Sequence, residues 1–136
     1  MDYYEISKKT IGHLYSAYSS LDQSPLDPAL RSLVELSVAQ INGCAFCCQT
    51  HHDQCLKNGV EAKKLIELAG WQSSTLFADK ERLALQYAKS LTQLECHDFE
   101  MHELQNTFNE AELVDLTACI SIMNALTRIA ISLKNL

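Results

Sequence analysis

The chain predicts an all-α fold of about six to seven helices, and three observations point to it. Apolar residues recur at three- and four-residue spacing along most of the 136 positions, only four glycines and two prolines interrupt them, and 47% of the residues are hydrophobic against 21% charged. A turn-rich β fold needs more breakers, and a disordered chain carries fewer apolar residues. The length suits a single domain, residues 1–136, able to bury a core without disulfides or metal.

The elements follow in order. Ile6, Ile11, Leu14, Tyr15 and Tyr18 sit at helical spacing, so residues 3–18 read as one helix ending in the polar stretch 19–25. Asp27-Pro28 supplies an N-cap and a first-turn proline. Leu30, Leu33, Val34, Val38 and Ile41 then share a face until Asn42-Gly43 interrupts. Cys44 opens a third helix that closes at Asn58-Gly59. A short fourth runs from Glu61 to Ala69, a fifth from Asp79 to Leu94 and a sixth from Asp98 to Phe108. Asn109 with Glu112 three residues on resembles a capping box for a last helix reaching about Lys134. That helix is apolar on nearly every side, which predicts burial all round, centrally or partly against another subunit. The segments LVELSVA (33–39) and LVDLTAC (113–119) match in type at each position, as a duplicated unit or two similar amphipathic helices would.

Net charge is -6 with no basic block, so nucleic acid is not an expected partner. The first twenty residues lack a signal-type apolar stretch and no later run is read as a membrane span of about 18 apolar residues, so the expectation is a cytoplasmic protein with no membrane partner. Thiols in that reducing compartment point to metal binding or redox chemistry rather than to a disulfide framework.

Four of the six cysteines and two of the five histidines fall in INGCAFCCQTHHDQC, residues 41–55. On a helix, Cys44, Cys47, Cys48, His51 and Cys55 form one stripe. Cys44 and Cys47 make a C-x-x-C at the helix start, where free N–H groups and the dipole favour a thiolate. His51, four residues past Cys47, is spaced to exchange a proton with a thiol or a leaving oxygen. C-x-x-C-x-x-x-H thus offers a nucleophile, a resolving thiol and a proton shuttle. Cys44, Cys47 and His51 with Cys48 or Cys55 also form a zinc set on paper. Structural zinc sites, however, draw on separated segments, and one straight helix closes a tetrahedron poorly, so no metal is expected. Cys55, Cys96 and Cys119 read as core, and His13, His97 and His102 as surface or capping residues.

Three segments taken in order, LDPALRSLVELSVAQINGCAFCCQTHH, NGVEAKKLIELAGWQSSTLFADKERLALQYAKSLTQL and FNEAELVDLTACISIMNALTRIAISL, resemble the AhpD-like, carboxymuconolactone decarboxylase superfamily in its short alkylhydroperoxidase-type branch. The resemblance covers nearly everything after residue 20. It implies an all-helical AhpD-like domain, a trimer or hexamer, and a thiol-dependent peroxidase or thiol-disulfide oxidoreductase. Such an enzyme acts on a small hydroperoxide, is reduced by an external dithiol or thioredoxin-like protein, and needs no cofactor. By position it makes Cys47 the attacking thiol, Cys44 the resolving thiol and His51 part of a proton relay. The relay glutamate of the family stands twelve residues before the first cysteine, where this chain has Ser32; Glu35, one turn later, is the nearest acid. Cys48 adds a thiol at i+4 from Cys44 that could compete for the disulfide. The alternatives are a decarboxylase-like enzyme acting on a small organic acid and a non-catalytic, redox-sensing oligomer.

Overall fold

The computed structural model describes residues 1–95 and 97–136, and Cys96 lies outside the described residues. Eight α-helices account for the fold, with no β-strand among the described residues: α1 Tyr3–Ile6, α2 Lys8–Ser20, α3 Pro28–Asn42, α4 Ala45–Lys57, α5 Ala62–Glu67, α6 Asp79–Gln93, α7 Asp98–Thr107 and α8 Glu110–Leu133. Single 3-10 segments, Leu21–Gln23 and Leu68–Ser73, follow α2 and α5. The expected first helix is two, because Ser7 leaves helical geometry and its N–H turns back to Tyr3. The caps at the next boundaries are as read: Asp27 accepts from the Ala29 N–H, and Asn109 and Glu112 cap each other's N–H groups.

The central helix is α3. Every residue from Leu30 to Ala39 is buried, and α3 packs against α4, α6 and α8. It divides the interior in two. Leu30, Val34 and Val38 face Leu116, Ile120 and Met123 of α8, whereas Leu33 and Leu36 face Cys55, Trp71 and Leu85. Burying side chains of this size stabilises the fold by roughly 1.5–3 kcal/mol each. Ile41, expected on the same face, is exposed at the end of α3.

Helix α8 is long and apolar enough by composition to cross a membrane, which the sequence reading overlooked; here it packs on α2, α3, α4, α6 and α7. It is not covered all round. Val114 is 66% exposed and Ile131 48% exposed. The matched segments of α3 and α8 also part company structurally. Glu35 is buried, whereas its counterpart Asp115 is half-buried and accepts from the Ser24 hydroxyl.

Two polar clamps hold the periphery. Arg82 of α6 donates to the carbonyls of Trp71, Gln72 and Ser74 and stacks on the Trp71 ring, fixing the segment after α5. At the α3–α4 turn, the Asn42 amide donates to Asn124 Oδ1 and Thr127 Oγ1 of α8, each at 2.9 Å. Gly43 then takes a left-handed conformation, φ +70°, which lets the chain reverse into α4. A Cβ at this glycine would meet no neighbour, so its replacement acts through the backbone alone. Gly43→Ala should therefore cost about 1 kcal/mol in urea unfolding, with an unchanged denaturant slope.

Candidate functional site

Cys44 is the N-cap of α4 rather than its first residue. Its sulfur accepts from the Cys47 N–H at 3.3 Å, and the backbone thereby brings the Cα atoms of Cys44 and Cys47 to 5.2 Å, where the two are joined as a disulfide. Cys48 does not take part; it is free and half-buried. Both bonded cysteines are buried, packed with Ala39 of α3 and Ala130 of α8.

The two sulfur-bearing residues open on different hollows. Cys47 and His51 line an apolar cavity of about 120 Å³, walled by Tyr15, Tyr18, Phe46 and Met123. Cys44 instead lines a groove of about 290 Å³ beside Phe46, Ile131, Lys134 and Asn135, with the Lys134 ammonium 3.4 Å from the Phe46 ring centre.

Behind His51 stands Glu35, 1% exposed. Its Oε2 lies 2.9 Å from His51 Nδ1, a salt-bridge contact that is out of line for a hydrogen bond. The same oxygen accepts a 2.8 Å hydrogen bond from the Tyr18 hydroxyl of α2. The other oxygen, Oε1, accepts from Arg31 Nε at 2.6 Å, and the Cys119 thiol of α8 approaches it at 3.7 Å. Arg31 is held in turn by Asp22 at 2.7 Å and lies over the Tyr18 ring.

These contacts set the charges. Burial by itself pushes the Glu35 carboxyl up, but His51, Arg31 and Tyr18 together outweigh burial and hold it below its ordinary value of 4.5, so it is a carboxylate. Burial, then the negative charge of Glu35, pushes Tyr18 up, which keeps its hydroxyl a donor. Burial first and Glu35 second push the Cys119 thiol well up, and burial lifts Cys55 to about 11. Both are protonated and inert as nucleophiles at neutral pH. Cys48 is raised by burial as well.

The structure therefore brings Cys44, Cys47, His51 and Glu35 into one site built from α3 and α4. Ser32, at the position of the family's relay acid, turns its hydroxyl to the Ala29 carbonyl instead. His13, His97 and His102 are exposed and apart from the site. Sequence reasoning missed two members, Arg31 and Tyr18. Arg31 precedes Glu35 by four residues on one helix, a spacing that signals an ion pair. Tyr18 comes from another helix and was read only as an apolar helix position.

An all-α domain with a disulfide-forming pair capping a helix, and an imidazole and a buried carboxylate behind it, defines an AhpD-like protein. The chain belongs to the carboxymuconolactone decarboxylase family, whose model matches residues 8–90. It is 38% identical over 108 residues to the uncharacterized protein YnjA of Escherichia coli, covering 78% of this chain and 59% of that protein. It is 27% identical over 138 residues to the uncharacterized protein YdfG of Bacillus subtilis, covering 99% of this chain and 94% of that one. Among solved structures it superposes with a TM-score of 0.91 on an Agrobacterium tumefaciens protein of unknown function, named as a candidate antioxidant defence protein AhpD; identity there is 22%, with 100% of this chain and 95% of that chain covered.

Because the folded Glu35 pKa is depressed, the carboxylate contributes stability that is present above 4.5 and lost as pH falls through the folded value. Urea unfolding between pH 6 and pH 3 should show the wild type losing stability faster than Glu35→Gln, which starts lower, by roughly 1–3 kcal/mol, because Arg31 loses this charged partner and keeps only Asp22. Parallel acid profiles would mean Glu35 is not held ionised by the fold.

Proposed function

We propose that the protein is a thiol-dependent peroxidase that reduces a small hydroperoxide at Cys47. The observation that carries this reading is that the disulfide partner Cys47 and His51 line one apolar cavity, with an ionised carboxylate against the far side of the imidazole. In the reduced protein, the Cys47 thiolate attacks the terminal peroxide oxygen. An S–O bond forms, the O–O bond breaks, and the alkoxide leaves with a proton delivered through His51. With Nδ1 engaged by Glu35, Nε2 is the ring nitrogen left for that transfer. The Cys44 thiol then attacks the sulfenic sulfur of Cys47, releasing water and forming the disulfide.

An external dithiol closes the cycle. Its thiolate attacks Cys44 from the groove beside Lys134, Cys47 leaves as a thiolate, and the second thiol of the reductant releases Cys44. In sum a hydroperoxide and a dithiol become an alcohol, water and a disulfide. Every electron passes through sulfur, so the cycle requires neither metal nor organic cofactor. Glu35, one helical turn after Ser32, supplies the carboxylate behind His51.

A homo-oligomer is part of the same reading. Val114 and Ile131 are large apolar side chains left exposed on α8, and leaving such side chains wet forgoes about 1.5–3 kcal/mol each. Light scattering at micromolar concentration should give a mass above the 15.3 kDa of one chain; a stable, active monomer would remove the oligomer.

The peroxidase is tested by following hydroperoxide consumption with a dithiol as reductant. Cys47→Ser should abolish turnover, Cys44→Ser assayed without the dithiol should consume about one equivalent and stop, and His51→Ala should slow the reaction by roughly 10²-fold or more. Full activity in Cys47→Ser would remove Cys47 as the attacking thiol, and a wild type that consumes no hydroperoxide would leave the decarboxylase-like or redox-sensing alternatives.

A further inference from the structure

Tyr18 stands where two cavities meet. On one side is the apolar hollow of Cys47 and His51; on the other is a polar hollow of about 270 Å³ bounded by Asp22, Arg31, Glu35, Gln54 and Asn58. Its ring lies edge-on to the His51 ring, with centroids 6.3 Å apart, and beneath the Arg31 guanidinium at 4.9 Å. Its hydroxyl takes the aligned position on Glu35 Oε2, while His51 Nδ1, nearly as close to that oxygen, is out of line.

We propose that Tyr18 is a positioning residue: by donating to Glu35 Oε2 it sets how tightly the carboxylate holds the His51 imidazole, and its ring separates the cavity of Cys47 from the polar hollow. Two donors compete for one oxygen, and the phenol has the better geometry. The imidazole is thereby kept beside a carboxylate without being locked to it, as a group that must both take and give a proton requires. The charged and titratable groups facing His51 are Glu35 from α3, Tyr18 and Tyr15 from α2, Tyr3 from α1 and Cys47 from its own helix; Arg31 of α3 and Cys119 of α8 act through Glu35.

The proposal takes from the preceding reading only that Cys47 and His51 act together, and its test uses no peroxide. Tyr18→Phe keeps the ring and removes the donor. His51 then becomes free to align on Oε2, and a tighter carboxylate–imidazolium pair beside Cys47 favours the thiolate. Two readouts follow. The His51 Nδ1–H resonance in the reduced protein should move downfield and exchange more slowly. The pH midpoint for alkylation of Cys47 by iodoacetamide should fall by about half a pH unit or more. Replacing Tyr18 by 3,5-difluorotyrosine, a stronger donor while its phenol stays protonated, should move both readouts the opposite way.

If both readouts are unchanged in Tyr18→Phe, Tyr18 is only a packing residue and the proposal falls. If the midpoint rises, Tyr18 is needed to keep Glu35 and His51 together at all, and the proposal falls equally. A lowered midpoint in a protein that consumes no hydroperoxide would leave Tyr18 in this role and overturn the peroxidase instead.

Discussion

One buried carboxylate constrains the whole helical arrangement. A charge as deeply enclosed as Glu35 costs several kcal/mol unless partners replace its water, and the partners here arrive from separate helices. Tyr18 comes from α2, Arg31 from the preceding turn of α3, His51 from α4 and Cys119 from α8. Apolar packing alone tolerates sliding of a few tenths of an ångström; the hydrogen bonds of Tyr18 and Arg31 to this charge do not. They fix α2 against α3, while α4 meets the acid through the His51 ion-pair contact and is placed by its packing on α3.

The sequence Asn42-Gly43-Cys44 gives each of its residues a distinct physical task in placing that pair. Asn42 ties the end of α3 to α8, Gly43 supplies the left-handed turn, and Cys44 caps the next helix with its own sulfur. Asn124, the acceptor for Asn42, is itself held by Thr92 of α6 and by Arg128 of its own helix. The turn carrying the cysteines is thus braced from behind by two helices that contribute no titratable group to the cavity of Cys47.

How much of this could be read from the sequence depends on range. Short-range signals were legible: the Asp27-Pro28 start, the Asn109–Glu112 cap, the C-x-x-C at a helix origin and the histidine one turn on. The break at Ser7 was not, because the apolar spacing runs through it without a glycine or proline. Apolarity left two places open for α8, the centre of the chain or a seam with another subunit, and gave no sign that α3 is the helix buried from Leu30 to Ala39, although it carries Arg31, Ser32, Glu35 and Ser37. Polar residues can be buried when their partners are supplied, and the partners Tyr18, Asp22 and His51 are brought by tertiary structure that no periodicity records. The site was half visible for the same reason: the thiols and imidazole share one helix, whereas the tyrosine that meets the carboxylate arrives from another.

The sulfur cap on α4 ties helix architecture to oxidation. In the disulfide, Cys44 Sγ is a weak acceptor for the Cys47 N–H; in a reduced pair it would be a better cap the more negative charge it carried at the positive end of the helix. Reduction of this pair would therefore also tighten the first turn of α4, and by linkage that tightening would favour the reduced form. The helix would then share in the stability of the disulfide, so that a change in the cap or in the first turn would shift that balance without touching the sulfurs themselves.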